Sequence, residues 1–318
     1  MNTNSFMRNA VFGGVLVAVC TISGAARADG LATAPGRIAP ANRQSLSQEI
    51  ASFKTAQPGL RAKVRDVQSV KPEVYGKFQN PKPEASRELR ALGKDALVPM
   101  LEALAFDASQ TGLATNEREA LKLGMISAVG YLKDGRSVPV LAAILDDQTE
   151  SSEAAFAAAN ALGRVCNSAA SKLLDEKAQA GSNVRLAAIS GLGECRKVES
   201  AKALASALRG AKDDATRSAS IKALGTLGSS WAWAALSKSD QSAAQTGDKV
   251  RNEASDALIE TFVSAPTVRE EAKRAILKCE ASNALSRVRS AKKGQNAETV
   301  AALEGIEKAL EKAAARAK

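Results

Sequence analysis

From about residue 45 onward, apolar residues recur every three or four positions, in short segments that come in pairs. The clearest pair spans 183–208. Ala187, Leu192 and their neighbours give its first segment an apolar stripe, and Ala201, Leu204 and Leu208 give one to its second. Spacings of three and four predict amphipathic helices. Neither segment is long or apolar enough to hold a helix alone, so the pair predicts a hairpin that stacks on others. Gly193 closes the first segment and reads as its stop, because glycine readily takes the left-handed conformation that ends a helix.

The same closing signature occurs at Ala91-Leu92-Gly93, Ala128-Val129-Gly130, Ala161-Leu162-Gly163, Gly191-Leu192-Gly193 and Ala223-Leu224-Gly225. Helix pairs repeating at intervals of roughly 30–45 residues predict an all-α solenoid, a superhelix of stacked hairpins. Leu192 and Leu224 then occupy the same inward position in neighbouring units. Two later stretches, starting at Val250-Arg251 and Val268-Arg269, carry the first-helix pattern without the glycine. They read as successive helices of one irregular terminal unit.

The unit resembles the HEAT repeat, in the short form also found in phycobilisome-lyase-type HEAT proteins. The resemblance rests on the Val-Arg opening of the first helix, Ala-Leu-Gly at its end, and an Asp-x-Arg-x-Val turn before the second. Residues 130–145, Gly130 through Asp134, Arg136 and Val138 to Leu145, match it most closely. It spans residues 83–291 and implies stacked helix pairs. For function it implies scaffolds, adaptors and a few lyases alike.

Residues 1–28 combine a short segment with Arg8, an apolar run from Ala10 to Cys20, and Ala26-Arg27-Ala28. This predicts a secretory signal cleaved after Ala28. An uncleaved anchor and a lipoprotein signal at Cys20 are the alternatives. Residues 29–82 read as a leader, flexible through Gln44, followed by two helices. Leu46, Ile50 and Phe53 line the first; Leu60, Val64 and Val67 line the second. They form an N-terminal cap or a partner-binding arm. Units begin at Pro83, and residues 240–249 read as a polar connection. Residues 292–318 open on a Lys292-Lys293-Gly294 hinge. They continue as an amphipathic helix with Val300, Leu303, Ile306 and Leu310 in line, either a C-terminal cap or a free interaction helix.

Only 3% of the 318 residues are aromatic, which suits thin helices in layers and argues against a sheet-rich domain. No apolar run after the leader reaches membrane-spanning length. The net charge of +10 is moderate and dispersed. It fits a mixed solvated surface or an affinity for acidic polymers or anionic lipid, and does not point to nucleic acid. The chain contains no histidine. That removes the usual general base, the Ser-His and Cys-His pairs and the commonest zinc ligand. No phosphate-loop or dinucleotide motif is present. Asp146-Asp147, Asp213-Asp214 and Glu270-Glu271 read as helix-end charges. No catalytic residue, cofactor or metal ligand is therefore expected.

Three sets of residues remain. Arg185, Arg217, Arg251 and Arg269 recur at the start of first helices, where they either bridge to the preceding unit or form a basic ligand track. Aligning Gly225 with Gly130 puts Trp233 at a core position and Trp231 nearer the surface, as a partner anchor or as a ring lying over nearby alanines. Cys166 and Cys195 fall in the breaks of neighbouring units, as a disulfide or as separate thiols, with Cys279 buried and free. The expectation is an exported scaffold. The second helices would line a face for a protein or peptide in the cell envelope. A lyase-type enzyme, or an envelope protein that binds peptidoglycan or anionic lipid, is the alternative.

Overall fold

The computed structural model describes residues 30–68, 82–107, 115–180, 184–238 and 242–316. The signal expected at 1–28 lies outside them, as does most of the proline-rich stretch before Pro83. Among the described residues every regular element is helical, and no helix is long and apolar enough to cross a membrane.

Two helices, α1 (Pro40–Ala56) and α2 (Pro58–Gln68), precede the repeats. Four regular pairs follow: α3 (Lys82–Ala91) with α4 (Leu97–Ala105), α5 (Thr115–Leu132) with α6 (Val138–Asp146), α7 (Ser152–Val165) with α8 (Ser168–Gln179), and α9 (Arg185–Glu194) with α10 (Val198–Arg209). The helix starts are written locally. Ser151 and Asn167 accept the backbone N–H groups of Ala154 and Ala170 at 3.1 and 2.8 Å, N-caps worth about 1 kcal/mol each. Pro139 stands in the first turn of α6, where its missing N–H costs nothing. With α11 (Asp214–Leu227), the first helices α3, α5, α7, α9 and α11 form one row, each packed on the next. The second helices form the other row. One apolar core runs through the stack from Leu31 to Leu310, and Leu192 and Leu224 are both fully buried in it.

The signature glycines do something other than expected. Only Gly93 is left-handed, with φ +82°. Gly130, Gly163, Gly193 and Gly225 lie inside their helices. They let neighbouring first helices touch backbone to backbone: a Cβ on Gly130 would sit 2.6 Å from Cα of Ala161, and one on Gly163 1.9 Å from the carbonyl oxygen of Gly191. In the second and third pairs the left-handed residues are Lys133 and Cys166, each three positions past its glycine.

The alternation breaks after α11. The expected second helix of the fifth unit, α12 (Ser230–Ser237), is short and packs against α13 (Ser242–Ser264). It is α13 that continues the second row beside α10, and α14 (Arg269–Cys279) that continues the first row beside α11. Val250-Arg251 thus opens no first helix. Residues 242–249 are not a polar connection either. Ala243, Gly247, Val250 and Ala254 form a buried stripe at helical spacing, and the Trp233 ring covers Gly247. The stack ends with α15 (Ala284–Ala291) and α16 (Ala297–Arg316). Leu303, Ile306 and Leu310 of α16 are buried, and Arg289 joins Glu307 and Glu311 at 2.6 and 2.7 Å. The last helix therefore closes the stack.

At the other end, the leader is ordered where a flexible segment was expected. Leu31, Ala32 and Ile38 are buried. The N–H groups of Leu31, Ala32 and Thr33 donate to the carbonyls of Ala103 and Leu104 at 2.9–3.1 Å. Those carbonyls end α4 and have no partner within their own helix. The first helix starts at Pro40 rather than Ser45. Both α1 and α2 pack on α4, with Leu46, Ile50 and Val64 buried.

Candidate functional site

The four repeat arginines are committed to the scaffold. Arg185 donates to the carbonyls of Ala180 and Gln179 at 2.8 and 3.3 Å, Arg217 to Ala211 at 3.3 Å, and Arg269 to Phe262 at 3.1 Å. Each acceptor lies at or just beyond the end of the preceding helix of the chain, where carbonyls are orphaned. Arg251 donates to Glu280 at 3.1 Å instead, 29 residues later in the chain. That reversal follows from the place of α13 in the second row. A guanidinium spent on backbone carbonyls is not available as a ligand track.

The two tryptophans separate. Trp233 is buried and its indole N–H donates to the Leu227 carbonyl at 2.7 Å. Trp231, on the same short helix, is 81% exposed, so it does not lie over neighbouring alanines. Cys166 and Cys195 are joined by a disulfide with Cα atoms 5.1 Å apart, and Cys279 is a buried free thiol. Among the described residues no group of three or more potential ligand side chains is arranged to hold a metal.

A groove not anticipated from the sequence lies on the first-helix row, between α3, α5 and α7. It encloses about 500 Å³ and is lined by Arg90, Leu123, Tyr131, Phe156, Asn160 and Arg164, among others. Tyr131 and Phe156 stay open, 43% and 38% exposed, in a chain with very few aromatics. Two cations crowd one ring: the guanidinium carbons of Arg90 and Arg164 stand 3.9 and 4.4 Å from the centre of Tyr131. Arg164 also reaches Glu194 at 3.5 Å. The carbonyl oxygen of Asn160 takes the Ser190 hydroxyl at 2.9 Å.

A second groove, of about 570 Å³, lies on the second-helix face expected to bind. Its charges largely satisfy one another, with Arg209 on Glu260 at 3.5 Å and Arg287 on Asp256 at 2.7 Å. The first-helix groove is the one that offers unspent chemistry. Its residues keep fixed places in the repeat: Arg90 and Asn160 stand three before their glycines, and Tyr131 and Arg164 one after. That register is the only sequence signal that could have found them.

Residues 178–259, from the end of α8 well into α13, match the family model for HEAT repeats. That stretch of the chain is built of HEAT repeats. Among solved structures, the chain is similar to human deoxyhypusine hydroxylase in complex with glycerol. Identity is 16% over 86% of this chain and 99% of that one, with a TM-score of 0.33. It is also similar to a computationally designed self-assembling cyclic homooligomer. There the identity is 18% over 86% and 97% of the two chains, with a TM-score of 0.29. No curated protein matches it. HEAT stacks commonly serve as protein-interaction scaffolds, and the groove places open aromatic and cationic side chains on such a stack.

Proposed function

We propose that this protein is an exported, non-catalytic scaffold that binds a protein or peptide partner in the cell envelope. The observation that carries the binding role is the α3–α5–α7 groove, where Tyr131 and Phe156 remain exposed beside Arg90 and Arg164. Aromatic and arginine side chains in a shallow pocket are the groups most often found at interface hot spots. Export is supported by the apolar leader with its Ala26-Arg27-Ala28 site and by the Cys166–Cys195 disulfide, a bond that persists in oxidising compartments. The absence of histidine from the sequence supports binding without catalysis. The test is a photo-reactive phenylalanine analogue placed at position 156 of the full-length gene in its native host. After irradiation, a discrete crosslinked species should appear in the envelope fraction, and the mature protein should begin at Asp29 by mass spectrometry. A cytosolic protein with intact Met1, or no crosslink at position 156, would overturn the reading.

A further inference from the structure

The groove itself narrows the chemistry of the partner. We infer that it holds an extended peptide segment about five residues long, with apolar side chains at one end and an acidic side chain at the other. This rests on the scaffold reading above and adds the partner's chemistry to it.

Length comes first. Glu153, Phe156, Asn160 and Arg164 lie on one face of α7 and all line the groove. At 1.5 Å per residue their span is about 16 Å, which an extended chain crosses in about five residues at roughly 3.3 Å each. Polarity comes second. Leu123, Phe156 and Ala157 supply an apolar bed, with Glu153 at its outer end. The other end carries Arg90, Tyr131 and Arg164. Arg90 is exposed, and among the described residues it has no carboxylate partner; its contact is the Tyr131 ring at 3.9 Å. A ring contact uses none of the guanidinium's five N–H donors. An incoming carboxylate can therefore take two of them in the bidentate geometry that favours arginine.

Backbone recognition comes third. The Asn160 carbonyl oxygen is occupied by Ser190, which leaves its amide NH2 to donate to a peptide carbonyl. Ser86 also lines the groove. It is 6% exposed, and its hydroxyl has no hydrogen-bond partner among the described residues. A buried unpaired hydroxyl is costly, and a bound peptide N–H or C=O would satisfy it. A basic or wholly apolar segment would leave Arg90 unpaired beneath it.

The experiment uses the mature full-length protein and a rhodamine-labelled, C-amidated peptide of sequence Leu-Ser-Leu-Glu-Glu, followed by fluorescence anisotropy. Saturable binding is expected, absent for versions with Gln or Lys in place of both Glu. It should weaken about tenfold or more in Arg90→Gln and in Phe156→Ser, both exposed positions, and persist in Trp231→Ala. Equal binding of the Glu, Gln and Lys peptides would overturn the inference. So would binding of a Gln peptide through a free C-terminal carboxylate alone, or full binding by Arg90→Gln. If no peptide binds at millimolar concentration, the partner chemistry is wrong. The crosslink at position 156 then separates the two readings: a partner captured there leaves the scaffold standing, and none removes both.

Discussion

The Cα of Gly163 packs against the carbonyl of Gly191, so closely that a methyl group on Gly163 would stand 1.9 Å from that oxygen. The obstacle is backbone in the next first helix, which cannot swing aside. Alanine would gain about 1 kcal/mol in helix propensity over glycine, whereas overpacking a tight contact costs about 1–3 kcal/mol or more. Gly163→Ala is therefore expected to destabilise by about 2 kcal/mol in denaturant titration. Gly305, inside α16 with open space around its would-be Cβ, is the control: Gly305→Ala should stabilise by about 0.5–1 kcal/mol. Equal effects at the two sites would mean that the first helices do not touch as described.

Leu192 is 1% exposed in the core shared by α9 and its neighbours. Leu192→Ala should cost about 2–5 kcal/mol, since a long stack of backbone contacts leaves little room for collapse. A loss well under 1 kcal/mol would contradict the burial.

Thiol counting in denaturant, on protein recovered from its native compartment, should find one reactive thiol, mapped to Cys279. Reduction should then release Cys166 and Cys195, which close a loop of 29 residues between neighbouring units. A loop of that size corresponds to a stability loss of about 3–4 kcal/mol on the chain-entropy account. Three thiols before reduction would refute the bridge.

Glu102 ties the N-terminal helices to α4. It is 3% exposed and takes Arg61 at 2.8 and 2.9 Å and Lys54 at 2.9 Å. Burial pushes its carboxyl up, but the two cations outweigh that and hold it below the usual glutamate range. Because the folded value lies below the unfolded one, the contribution is complete above the ordinary glutamate pKa and is lost as pH falls through the folded value. Hydrogen exchange of α1 and α2 should accelerate in that acid window. At neutral pH, Glu102→Gln should reproduce the effect with a loss of about 1–3 kcal/mol. Unchanged exchange in both cases would refute the tether.

Burial also pushes the Cys279 thiol up, to about 12. The unfolded thiol ionises near its ordinary pKa of 9.0, so the unfolded state sheds a proton that the folded state keeps. Stability should fall between pH 9 and 12, by up to about 1.4 kcal/mol per pH unit from this group. Cys279→Ala should remove that part of the slope in unfolding titrations across the window. An unaltered slope would show that the thiol is solvated in the folded protein.

What the sequence determined by itself is the repeat. Stripes such as Ala201, Leu204 and Leu208 are local, and a helix period is set by backbone geometry alone, so the first four hairpins, their order and the inward leucines could be read directly. The recurrence of Arg185, Arg217 and Arg269 near first-helix starts was legible for the same reason, and left open whether they serve the scaffold or a ligand. Four matters were decided only in three dimensions. The role of Gly130, Gly163, Gly193 and Gly225 depends on what stands opposite in the next unit, and their own helices give no sign of it. The leader docks as a bent, irregular segment on α4, through backbone hydrogen bonds that leave no period in Leu31, Ala32 and Ile38. The fifth unit exchanges its second helix because the short Trp233 helix lies along α13, and α13 rather than α12 packs beside α10. The groove joins Arg90, Tyr131, Phe156 and Arg164 from three helices. Each is an unremarkable solvent-side residue in its own helix, and only the stacking of units puts two guanidiniums on one ring.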